Sequence, residues 1–65
     1  MKILILDDHP LIPDFLTLKI LEIYSSSEVL VANSLEQAQF LLTQNQVDRV
    51  ICDLQIIRGK SLLLP

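Results

Sequence analysis

Three aspartates are the residues of this chain best placed for chemistry. Asp7 and Asp8 stand together directly after the apolar run Ile3-Leu4-Ile5-Leu6, and Asp53 stands directly after another, Val50-Ile51-Cys52. A lone Asp at the end of a strand is ordinarily a turn-former or a solvated polar residue. A pair after one apolar run and a third after another is a stronger pattern. Carboxylates brought together repel one another, and a hard divalent cation with oxygen ligands relieves that repulsion. Mg²⁺ suits such a set, because it takes one or two carboxylates, keeps several waters and completes its shell with phosphate oxygens. A carboxylate beside that ion is also a nucleophile for a phosphoryl group, and the product is an aspartyl phosphate.

This chemistry requires that the elements carrying the aspartates bring them to one place. Ile3 to Leu6, Val29-Leu30-Val31-Ala32 and Val50-Ile51-Cys52 are short, continuous and largely β-branched. Runs of that kind predict strands buried on both faces, as in a parallel sheet covered by helices. The connections between them, 7–28 and 33–48, both exceed the dozen or so residues that a parallel crossover needs.

In the first connection Leu11, Phe15 and Leu18 fall at helical spacing, with Ile12, Leu16 and Ile23 widening the apolar stripe. Proline is tolerated in the first turn of a helix, where its missing N–H costs no hydrogen bond. Pro10 and Pro13 therefore predict a helix that starts between them and ends near Tyr24, before Ser25-Ser26-Ser27. In the second connection Ser34 and Gln37 have capping-box spacing and Glu36 sits in the first turn. Leu35, Ala38, Leu41 and Leu42 then form an apolar face that fades by Gln44 to Gln46. A loop containing Gly59 and an apolar tail, Leu62 to Leu64, follow the third run.

The expected fold is α/β, a three-stranded parallel sheet in order 2-1-3. Right-handed crossovers then put the helices on both faces. In open α/β sheets ligands bind beyond the carboxyl ends of the strands, where the strand order reverses. In that order Asp7, Asp8 and Asp53 converge between the first and third strands.

Composition narrows the alternatives. With 65 residues the chain is at most one small domain, and a domain of this size buries only about 60% of the surface its unfolded chain exposes. One cysteine allows no internal disulfide, and Cys52 inside an apolar run reads as a small buried hydrophobe in a reducing cytoplasm. A net charge of −3 with scattered Lys and Arg argues against nucleic-acid binding. The opening apolar run is too short for a secretory signal or a membrane span. A single glycine excludes a glycine-rich dinucleotide fingerprint, and no Ser-His-Asp set suggests hydrolysis. A small α/β enzyme is therefore the weakest reading.

At the aspartates a resemblance to a known family becomes specific. Lys2-Ile3-Leu4-Ile5-Leu6-Asp7-Asp8-His9-Pro10-Leu11 resembles the opening of bacterial response-regulator receiver domains of the CheY-like superfamily. The Asp-Asp-His-Pro-Leu segment is similar to the LuxR/NarL class of transcriptional regulators. Asn33-Ser34-Leu35-Glu36-Gln37-Ala38 resembles the start of the family's second helix, and Val50-Ile51-Cys52-Asp53-Leu54 resembles its third strand and phosphorylation site. The resemblance covers residues 1–65 and corresponds to the N-terminal half of a receiver, the β-α-β-α-β first half of a flavodoxin-like fold.

The resemblance implies a part in two-component signal transduction, a phosphorelay in the cytoplasm, and not an enzyme. It implies that Asp53 accepts the phosphoryl group from a separate histidine kinase. It makes Asp8 a direct ligand of Mg²⁺, has Asp7 act through water, and makes the backbone carbonyl of Gln55 a further ligand. His9 falls where this class often carries histidine and reads as a polar residue leading into a helix.

The chain departs from the family pattern in two ways. Ile57 replaces a usual proline, and Ser61 stands where a glycine is usual, with Gly59 the chain's single glycine. The hydroxyl residue and the lysine that hold the phosphoryl oxygens in the family, after its fourth and fifth strands, have no counterpart here. Lys60 lies in the wrong segment. A receiver cut after its third strand leaves that strand's outer edge apolar, and such an edge invites pairing with another chain. The expectation is a homo-oligomer through the third strand or the Leu62–Leu64 tail. The alternative function is a truncated, non-switching receiver that acts as an interaction and dimerisation module.

Overall fold

A computed structural model describes residues 1–52. The elements run β1 (Lys2–Leu6), α1 (Ile12–Ile23), β2 (Glu28–Ala32), α2 (Leu35–Gln44) and β3 (Arg49–Cys52). The three strands form one parallel sheet in the order β2-β1-β3. Each strand begins one residue before its apolar run. The Glu28 N–H donates to the Met1 carbonyl (2.9 Å) and the Asp48 N–H to the Lys2 carbonyl (2.8 Å), which sets where both ladders start.

Lys2 ties this end of the sheet together. Its backbone N–H donates to Asp48 Oδ2 (2.7 Å), its Nζ donates to Asn45 Oδ1 (3.1 Å), and the same ammonium lies 3.8 Å from Glu28.

The central strand is the core. Ile3, Leu4, Ile5 and Leu6 are all buried, Leu4 and Ile5 completely. Alternation along β1 divides them between two clusters. Leu4 and Leu6 pack with Ala32 and Ala38 on the α2 side, joined by Leu30, Leu35, Leu41, Val47 and Cys52. Ile3 and Ile5 pack with Ile20 on the α1 side, joined by Leu16 and Val29. The expectation of strands buried on both faces holds for β1. In the flanking strands Val31, Val50 and Ile51 are exposed, because each of those strands has β1 on only one side among the described residues.

Helix α2 forms as its sequence dictates. Ser34 Oγ accepts from the Gln37 N–H (3.1 Å), and Gln37 Oε1 reaches back to accept from the Asn33 N–H (2.8 Å). The reciprocal bond thus lands one residue before the N-cap, on Asn33 instead of Ser34. Asn45 closes the other end, its Nδ2 donating to the Leu41 carbonyl (3.0 Å). Leu35, Ala38 and Leu41 face the core, whereas Leu42 points outward.

Helix α1 starts between the two prolines with Pro13 in its first turn, as expected, and its C-cap is Tyr24. The face it buries differs from the expected one. Pro13, Leu16 and Ile20 meet the sheet, while Leu11, Phe15, Leu18 and Ile23 are exposed. The helix has apolar residues on nearly all sides, so periodicity alone offers two stripes. Charge decides between them. The Leu11-Phe15-Leu18 stripe runs into Glu22 and is flanked by Asp14 and Lys19, whose burial without partners would be costly. The Pro13-Leu16-Thr17-Ile20 stripe carries no charge, and the Thr17 hydroxyl is satisfied by the Pro13 carbonyl (2.7 Å).

Candidate functional site at the carboxyl end of the sheet

Asp7 and Asp8 leave β1 at its carboxyl end, and backbone pairing extends one residue beyond the strand. The Asp7 N–H donates to the Ala32 carbonyl (3.0 Å), which fixes Asp7 at the sheet edge. Its side chain is largely covered, at 12% exposed, while that of Asp8 is open at 63%. Two adjacent carboxylates therefore have different surroundings.

The chain then turns back on Asp7. Asp7 Oδ1 accepts from the backbone N–H of His9 (2.9 Å), an Asx-type turn, and His9 Nδ1 meets the same oxygen. Asp8 Oδ1 lies 3.7 Å from that ring nitrogen. The backbone N–H of His9 is the main reason the Asp7 carboxyl is held below its ordinary range. Burial opposes this, and the His9 ring assists through its hydrogen bond and charge. Asp7 is therefore ionised throughout the neutral range.

One ligand atom each from Asp7, Asp8 and His9 lie within 4.8 Å of one another. The carboxylates are hard oxygen donors on one side of a possible ion, the share of a shell that Mg²⁺ takes from protein while keeping waters elsewhere. This Asp-Asp-His cluster could hold a metal ion. Beside the cluster an open cleft of about 490 Å³ is lined by Ile5, Leu6, Asp7, His9, Ile12, Ile51 and Cys52, so it spans the carboxyl ends of β1 and β3.

Of the four site residues expected from sequence, Asp7 lines this cleft, and Asp8 offers a carboxylate oxygen within 4.8 Å of Asp7's without lining it. Asp53 and Gln55 lie outside the described residues, as do the Gly59 loop and the Leu62–Leu64 tail. Cys52 is described. It is half-buried and packs against the α2-side cluster, in keeping with a small apolar residue. His9 does more than lead into the helix, because its ring nitrogen meets both carboxylates. Its position two residues after Asp7 was the available signal, because Asx turns close over that distance.

Comparison with protein-family models, with curated proteins and with solved structures finds no match. Among the described residues no helix is long and apolar enough to cross a membrane.

Proposed function

We propose that this chain is the first half of a flavodoxin-like response-regulator receiver, in which Asp53 accepts a phosphoryl group from a histidine kinase at a Mg²⁺ site held by Asp7 and Asp8. The observation that carries this reading is the parallel pairing of β1 and β3, with Leu6 opposite Cys52. Both strands end at one level, at the point where the order β2-β1-β3 reverses and where open α/β sheets bind ligands. The residues that follow Leu6 and Cys52 in the chain are both aspartates. The Asp-Asp-His-Pro-Leu opening adds the family resemblance to this geometry.

In this reading Asp8, the more open carboxylate, is the direct ligand. Asp7, held by the His9 N–H, is positioned to act through water. A bound Mg²⁺ supplies charge neutralisation for incoming phosphate oxygens. The Gln55 carbonyl and a cytoplasmic location belong to the same proposal.

The test is mass spectrometry after incubation with acetyl phosphate and Mg²⁺. The expected result is a hydroxylamine-labile gain of one phosphate that is lost in Asp53→Ala and sharply reduced in Asp8→Asn. Folded protein that gains no phosphate overturns phosphoryl acceptance. A second reading, a non-switching interaction module, draws on the exposed apolar side chains of α1 and β3, among them Phe15, Leu18 and Val50. It expects the same folded protein, unphosphorylated but self-associating.

A further inference from the structure

We draw no further inference here: the strongest candidate, the Asp7-Asp8-His9 side-chain cluster at the carboxyl end of β1, belongs to the site already described, and nothing among the described residues points to a ligand there beyond the contacts within the cluster itself.

Discussion

Leu6 lies directly opposite Cys52 in the parallel β1–β3 ladder, and both side chains pack into the cluster beneath α2. This pair sets the level at which the two strands end. It also anchors the candidate site from below, because Asp7 follows Leu6 without a break. Leu6 is buried and Cys52 only partly so. Leu6→Ala is therefore expected to cost about 2–5 kcal/mol, the range for a buried leucine, and Cys52→Ala less than about 1.5 kcal/mol. Urea unfolding followed by circular dichroism measures both. Equal losses would show that β3 is as deeply packed as β1.

The Asp7–His9 turn makes a pH-dependent prediction. The folded Asp7 carboxyl lies below its ordinary value, chiefly because it accepts from the His9 backbone N–H. A group whose pKa is lowered on folding adds stability above its unfolded value, and that contribution is lost as pH falls through the folded one. Asp7 is thus expected to stabilise the fold at neutral pH and to lose that effect in acid, below about pH 4. His9→Ala keeps the backbone N–H and removes only the smaller contributions of the ring. The Asp7 carboxyl should then move only part of the way back towards its ordinary value in a carbon-detected NMR titration. A complete return would assign the shift to the ring.

Ser34 caps α2 through the Gln37 N–H, and Gln37 returns a bond to Asn33. Losing the Ser34 hydroxyl leaves a helix N–H without its side-chain partner, so Ser34→Ala is expected to cost about 1 kcal/mol. Ser34→Gly should cost only a few tenths of that unit, because glycine lets water reach the same N–H. Thermal unfolding of the two variants side by side separates the loss of the cap from a general effect of substitution.

The two faces of α1 predict opposite mutational profiles. Ile20 is buried against Ile3 and Ile5, and Ile20→Ala is expected to destabilise by about 2–4 kcal/mol. Leu18 is exposed, and Leu18→Ala should stay within about 0.5 kcal/mol. Hydrogen exchange of the α1 amides reports the difference. If the two values were reversed, the helix would present to the sheet the stripe that periodicity first suggests.

Much of this fold was legible in the sequence because local rules decided it. Continuous β-branched runs marked the strands to within a residue. The prolines marked where α1 starts, and the Ser34–Gln37 spacing marked where α2 starts. The strand order 2-1-3 also agreed, because parallel crossovers of these lengths have few arrangements. The adjacency of Asp7 and Asp8 at the end of a buried strand was enough to nominate a site.

Tertiary structure decided what one-dimensional patterns leave degenerate. A helix with two apolar stripes can be docked either way on hydrophobicity alone, and the charges of Asp14, Lys19 and Glu22 turned Leu11, Phe15 and Leu18 outward. Runs that look alike in sequence differ in burial, because β1 is covered by both neighbours while β2 and β3 each meet it on one side among the described residues. His9 joins the carboxylates only because the backbone after Asp7 turns back on itself. A single Asx turn thereby sets both the contact and the lowered Asp7 carboxyl.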